Sequence, residues 1–509
     1  MNFFVNQYLV TKNSSIEHAE LKRLALFNGH EPGSAKLLTQ DFAPTLDQTL
    51  ERFGLQRDAV INMFDFFAGT TDYVGAPLKV DGLAYDGDLQ MGTGNNFREL
   101  KRGGRLVSEV HFIGGTVAQV GNVDYFDDAG NLTLRQIYDL RGFLAVNQYY
   151  GRAGELFYER YQRPDGTVYL ERYYVQSTEN TPINSLNVLK DYQGRDRFFY
   201  DQEGLFTFFL DEVNRAFGEN NRFFADRPAV AINPILNMTS KVKRYLWLAM
   251  RAVDDGQDLA TGSLDTMVDA ALQHGRKWTG VVVATAAQAA DLKPRLPKGL
   301  KCYVVNNSPV KVDRTPILIQ DRPAQRVIAV GRLGADKQTD QLIDLFARVH
   351  TVRPKATLTF YGYGNQADMQ SYQEQVKAAN LEQVVTFADY VVDLEPVYDQ
   401  ASLLVDASRV DAQPLAMAEA LSHGVPVVSY DYAYGPSELV IPGQTGELVP
   451  LGNRDAFVKA VIDLLSDPTK LQDFSTAAYQ NLTPFSEATT WQQWQAQIGR
   501  RRVGKECVS

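Results

Sequence analysis

Asp411 and Glu419 are two carboxylates with seven residues between them, and they bracket the start of an apolar run at helical spacing: Leu415, Met417, Ala418, Ala420 and Leu421. A helix placed there presents one acid from the loop before it and the other from its own face. His423 and Gly424 stop that helix, and Val425, Val427 and Val428 read as a buried strand. A Gly435-Pro436 turn then opens a short acidic helix carrying Ser437 and Glu438. Acids at the loop ends of such a strand–helix–strand–turn–helix unit suit the ribose and hexose hydroxyls of a nucleotide sugar. Upstream, Arg332 and Lys337 lie five apart where a strand runs through a Gly-bearing loop into a helix. Two cations beside a helix N-terminus suit a diphosphate, Arg as a bidentate donor and Lys as a point charge. Cations at a helix start are as often merely solvated. Tyr361-Gly362-Tyr363-Gly364 ends another strand, and its glycines serve either close approach of a ligand or a tight turn.

The elements that must hold these residues are strongly periodic. Apolar runs at 327–330, 357–361, 384–387, 403–405 and 425–429 alternate with helical patterns, which predicts a parallel, doubly wound sheet. The chain opens on the same rhythm, with an apolar β-prone run at 3–10, a polar turn at 11–15 and helical spacing from Ile16. Ser14 or Ser15 with Glu17 or His18 reads as a capped N-terminus, so strand, loop and helix form an anion-binding start with Ser15 at the ligand. A strand at 36–39 and a helix at 45–53 follow. From about 75 to 209 the period changes to two. Three segments starting with Tyr and turning at a Gly, 125–134, 161–170 and 200–209, read as repeated hairpins of an antiparallel sheet. Their aromatics serve cross-strand packing or a binding face for a polymer or partner. The α/β rhythm returns at 228, a Pro- and Asn-rich linker covers 306–325, and a last helix at 486–498 carries Trp491 and Trp494. The resulting division is 1–74, 75–212 as an insert, 213–318, 319–485, and a final helix over 486–500.

Composition narrows the class. The 509 residues, 44% hydrophobic and 22% charged, suit a soluble multidomain protein. A net charge of -10 argues against a nucleic-acid partner. Two cysteines, Cys302 and Cys507, give no disulfide scaffold and suit a reducing cytoplasm. No apolar run reaches about 18 residues, and the first residues lack the features of a signal peptide, so membrane contact is at most peripheral. The basic tail 501–509 differs from what precedes it and is given no role in the fold.

Taken together, GR(L)xxxK, (F)YGxG, the S-x2-acid-x7-E-A-L segment with HGVPVV, and GPSE resemble family 4 glycosyltransferases over about residues 326–450. The form SHGVPVVSYD-x3-GPSEL, the insert and the N-terminal NSSIEHAELKR are similar to the group containing poly(glycerol-phosphate) α-glucosyltransferases of teichoic acid. That group also includes the paired O-glycosyltransferases of bacterial surface proteins. The resemblance implies a GT-B fold, with two Rossmann-like domains and an antiparallel β domain inserted in the first for acceptor binding or oligomerisation. It implies a retaining hexosyltransferase that uses a UDP-sugar without a metal or other cofactor. The acceptor would be a hydroxyl of a polymer or of a Ser/Thr-rich protein, and a paralogous glycosyltransferase would be a partner. Carried over by position, Arg332 and Lys337 hold the diphosphate and Asp411 and Glu419 form the catalytic acid pair. Glu438 binds donor hydroxyls, and Gly362 and Gly435 line the donor. Two departures stand out. Asp411-Ala412-Gln413-Pro414 replaces Glu-Gly-Phe-Gly, and residues 244–251 lack the His that faces the transferred sugar in such enzymes. His18, His274 and His423 read as structural or solvated side chains. The departures open a second expectation, a catalytically weak subunit that activates a paralogue.

Overall fold

The computed structural model describes residues 1–84, 88–179, 181–254 and 256–499, so the tail 501–509 and Cys507 lie outside the described residues. The chain divides into two compact units, Met1–Thr11 with Ala35–Lys243, and Lys12–Ser34 with Arg244–Ser509.

In the first unit, four parallel strands lie in the order Arg222–Ala225, Asn2–Asn6, Ala35–Thr39 and Val60–Asn62. Phe3, Phe4, Val5, Leu37, Leu38, Phe223 and Phe224 are wholly buried, the continuous apolar runs expected of strands covered on both faces. Ten antiparallel strands, from Gln90–Thr93 to Arg197–Phe199, form a second sheet in which each pairs with the next in sequence. Two of the repeated segments are hairpins. Asp127 takes the amides of Ala129 and Asn131 on Oδ1, and Asp165 takes that of Thr167, closing both turns. The third segment does not follow. Its Asp201 accepts the Gly204 amide at 2.7 Å and caps an α-helix, Gln202–Ala216. The same Asp-and-Gly signal starts a helix there because Leu205, Phe206, Phe209 and Leu210 fall on one helical face and are all buried. Across adjacent strands Tyr149 stacks on Tyr158 at 5.4 Å, and Tyr173 packs tilted against Tyr158 at 5.0 Å.

The second unit holds a parallel trio, Lys243–Leu248, Gly280–Val283 and Cys302–Val304. It also holds a six-stranded parallel sheet in the order Val385–Ala388, Thr357–Tyr361, Arg326–Val330, Leu403–Asp406, Val427–Asp431, Gly446–Pro450. Chain order reverses between Arg326–Val330 and Leu403–Asp406. In an open α/β sheet that switch point opens a crevice at the strands' carboxyl ends, where ligands bind. The helix Ser15–His30 also belongs to this unit. The last helix, Glu487–Gln497, packs on it and on Lys243–Leu248: Phe27 meets Trp491 and Trp494 edge-on, Trp494 stacks on Trp247, and the Arg23 guanidinium lies 4.2 Å over Trp247. Among the described residues no helix is long and apolar enough to cross a membrane.

Candidate donor site

The two strands at the switch point lead directly into the charged residues. After Arg326–Val330 the chain turns at Gly331, whose amide donates to the Tyr361 carbonyl at 3.0 Å. A Cβ on Gly362 would collide with the Gly331 carbonyl oxygen. The close approach that Gly362 permits is therefore between two strand ends, which gives this glycine a packing role in its own right. A 3-10 turn, Ala335–Lys337, then delivers Lys337, and the helix Thr339–Val352 begins. After Leu403–Asp406 the other strand leads to Asp411, and Lys337 Nζ donates to Asp411 Oδ2 at 2.7 Å. Burial alone would lower the Lys337 pKa, but Asp411 and Asp406 outweigh it and hold the ammonium above the ordinary lysine range. Arg332, with half its side chain exposed, pairs with Asp336 at 2.7 Å.

The loop 411–414 is fixed at both ends. The Asp411 carbonyl accepts the Tyr434 amide at 3.0 Å, and Gln413 Oε1 accepts the Asn307 amide at 2.7 Å. Gly435, at φ 102°, packs against this loop. A Cβ there would stand 2.7 Å from Pro414 Cδ and 2.9 Å from the Ala412 carbonyl oxygen. Pro414 is the N-cap residue of the helix Leu415–Ser422, which carries Glu419 on its second turn. Lys22 Nζ lies 2.9 Å from Glu419 Oε1, and the Tyr398 hydroxyl donates to Oε2 at 2.9 Å. Glu438, on the single-turn helix Pro436–Leu439, accepts the Ala287 amide at 3.1 Å, at the start of the helix Ala286–Leu292. Burial pushes the Glu438 carboxyl above its ordinary pKa, against the pull of the Ala287 and Ala286 amides.

Ser15 is the first residue of the helix Ser15–His30 and is exposed, and the cap falls one residue earlier. The Ser14 hydroxyl donates to Glu17 Oε2 at 2.6 Å and the Ser14 amide to the same oxygen at 2.9 Å, a capping box. One turn on, His18 Nε2 meets the Tyr390 hydroxyl at 2.7 Å, and burial lowers the His18 pKa. The strand end that lacks a histidine is held by Gln288, whose Nε2 donates to the Leu248 and Met250 carbonyls at 3.3 and 2.8 Å. His423 is a core residue, with Nδ1 2.6 Å from Asp399 Oδ1.

The structure thus joins Lys337 to Asp411, sets Gly435 under the 411–414 loop and brings Arg332 to its own helix start. It adds three residues that the sequence reading passed over: Lys22, Tyr398 and Gln288. Lys22 had a signal, because Ser15, His18 and Lys22 share one helical face at i, i+3 and i+7. Tyr398 and Gln288 carried none. Among the described residues no group of three or more His, Cys, Asp or Glu is placed to hold a metal ion.

Parallel α/β sheets with an antiparallel sheet between their strands in sequence define the class: the fold is GT-B, that of nucleotide-sugar glycosyltransferases. It superposes on a mutant of Staphylococcus aureus TarM in complex with fondaparinux, α-GlcNAc-glycerol and UDP with a TM-score of 0.82, at 17% identity, covering 97% of this chain and 99% of that one. For the pneumococcal O-GlcNAc transferase GtfA bound to UDP and GlcNAc the TM-score is 0.83, at 16% identity, covering 98% of each chain. For the accessory secretory protein 1, 2 and 3 structure of Streptococcus pneumoniae it is 0.67, at 15% identity, covering 98% of each chain. More particularly, residues 317–481 match the family model of glycosyl transferases group 1. Residues 6–259 match the family model of an accessory Sec system protein. The poly(glycerol-phosphate) alpha-glucosyltransferase of Bacillus subtilis is 27% identical over 169 residues, 33% of this chain and 25% of that protein. The GtfA subunit of the UDP-N-acetylglucosamine–peptide N-acetylglucosaminyltransferase of Streptococcus gordonii is 23% identical over 303 residues, 57% and 58% of the two chains. The match thus spans only between a quarter and about three-fifths of these two curated relatives' own length.

Proposed function

We propose that the chain is a retaining hexosyltransferase that moves glucose or N-acetylglucosamine from a UDP-sugar to a hydroxyl of teichoic acid or of Ser/Thr in a surface protein. The observation that carries this reading is the Lys337–Asp411 pair at the sheet's switch point, with Arg332 five positions before Lys337 and Glu419 eight positions beyond Asp411. Charge develops on the departing diphosphate as the sugar–oxygen bond breaks. Fixed cations placed beforehand stabilise that charge more than they stabilise the bound donor, which is what lowers the barrier. Arg332 and Lys337 are those cations, and their two positive charges let the reaction run without a divalent ion. Glu419 takes the ribose, Asp411 stands near the transferred sugar and Glu438 binds donor hydroxyls. Ser15, Gly362 and Gly435 complete the wall. The chain works in the cytoplasm, in a homo- or hetero-oligomer with a paralogous glycosyltransferase.

A second reading, a partner subunit that binds acceptor and activates a paralogue, is favoured by one set of contacts. The histidine is absent, Gln288 ties off that strand end, and Asp411, Glu419 and Glu438 each have a partner within the protein. The match of residues 6–259 to an accessory protein rather than to an enzyme leans the same way. Incubating the purified chain alone with UDP-glucose and UDP-N-acetylglucosamine separates the two. The enzyme reading expects UDP release and transfer from the chain alone. Release only with a co-expressed paralogue contradicts it.

A further inference from the structure

We propose that Lys22 is a positioning residue of the donor site, holding Glu419 as an oriented carboxylate so that its oxygens can accept both hydroxyls of a ribose diol. The inference deepens the reading of residues 317–481 as a UDP-sugar half and rests on it. Lys22 comes from outside that domain, on the helix Ser15–His30, so the domain's second acid is completed by a distant part of the sequence.

The contacts define the role. Lys22 Nζ is 2.9 Å from Glu419 Oε1, and it also reaches the Pro309 carbonyl at 3.4 Å, which fixes where the ammonium sits. The Tyr398 hydroxyl takes Oε2 at 2.9 Å. Neither partner closes the site, because the side chains of Lys22 and Glu419 keep 29% and 22% exposure. A carboxylate has about four lone-pair positions, and these two contacts use two of them. The other two remain for a vicinal diol, whose two hydroxyls donate best to an ionised acceptor.

Its partners set the direction in which Glu419 titrates. Burial pushes its carboxyl up, but the Lys22 charge and hydrogen bond, with the Tyr398 hydroxyl and His18, reverse the direction and hold it below the ordinary glutamate value. The groups facing it are Lys22 and His18 from the first helix and Tyr398 from the helix Glu395–Asp399, and His18 is itself influenced by Glu17. Burial is already the largest single influence, and removing Lys22 takes away the two largest that oppose it. Glu419 then takes up a proton at mildly acidic pH and loses acceptor capacity on one oxygen.

UDP titrated calorimetrically into the full chain from pH 5 to 8 tests this, for the wild type, Lys22→Met and Lys22→Arg. Met keeps the apolar stem and removes the charge, and circular dichroism melts confirm that each variant is folded. The terminal phosphate of UDP titrates at about pH 6, so the wild-type profile is the reference at each pH. Lys22→Met binds about tenfold more weakly than wild type at pH 8, the size of one lost charged hydrogen bond, and its deficit grows as pH falls. Lys22→Arg restores the wild-type profile. Equal affinity of Lys22→Met and wild type at every pH overturns the inference while the donor-site reading stands. Tighter binding by Lys22→Met also overturns it, because Lys22 would then obstruct the site. Wild type that fails to bind UDP overturns the donor-site reading and the inference with it.

Discussion

Glu438 shows how a single side chain can be held against its own preference. Burial raises its pKa, and the opposing pull comes from two backbone amides at the start of Ala286–Leu292. A carboxyl with a folded pKa above its unfolded value favours the fold only when protonated. Its ionised form therefore costs stability at neutral pH, and that cost fades as pH falls through the raised pKa. Glu438→Gln keeps an oxygen for the Ala287 amide and removes the charge. It should melt at a higher temperature than wild type at pH 7, with the difference shrinking towards pH 4. It should also turn over a UDP-sugar about tenfold more slowly, the cost of one charged hydrogen bond to a donor hydroxyl. An unchanged melting temperature at pH 7 would show that the carboxyl is not strained by burial. At this scale the sequence showed the acids and cations but not their partners. Lys337 and Asp411 stand out by type and spacing, whereas the hydroxyl that reaches Glu419 comes from Tyr398, whose neighbourhood in sequence holds no motif.

Elements set these side chains in place, and Arg322 is the staple that joins them. It is buried, and it donates to the Tyr398 and Ala401 carbonyls from Nη1 and to the Ile317 and His423 carbonyls and the Tyr479 hydroxyl from Nη2. It thereby links the helix Glu395–Asp399, the end of Leu415–Ser422 and the helix Pro468–Gln480. Arg322→Met should destabilise the chain by about 3 kcal/mol or more in urea unfolding, because several buried carbonyls lose a charged donor at once. It should also weaken UDP binding through Tyr398. A loss below about 1 kcal/mol would mean that water replaces the guanidinium. Parallel strands were the most legible elements, since wholly buried β-branched runs such as Val327 and Ile328 leave few alternatives. The segment 200–209 was misread because an Asp followed by Gly serves a hairpin or a helix N-cap equally, and only the helical spacing of Leu205, Phe206, Phe209 and Leu210 decides. The first helix was legible as a helix. Its membership in the second unit was not, because that depends on Phe27 and Arg23 meeting Trp494, Trp491 and Trp247 from remote sequence.

Two demands fall on the whole molecule. If Arg332 and Lys337 supply all the positive charge the diphosphate needs, EDTA should leave UDP-sugar turnover unchanged; a loss restored by Mg2+ or Mn2+ would assign that charge to an ion instead. If the missing histidine has no substitute, turnover should rise when a paralogous glycosyltransferase is added. The GT-B fold and the inserted sheet were expected from motif order and the change of period, whereas no motif marks a surface for an acceptor or a partner. The central claim is that the crevice at the switch point holds a UDP-sugar. The most direct measurement is a crystal of the full chain soaked with UDP-glucose or UDP-N-acetylglucosamine. Diphosphate density should stand against Arg332 and Lys337, with the ribose on Glu419. An empty crevice at saturating donor, or UDP bound elsewhere on the chain, would contradict the claim.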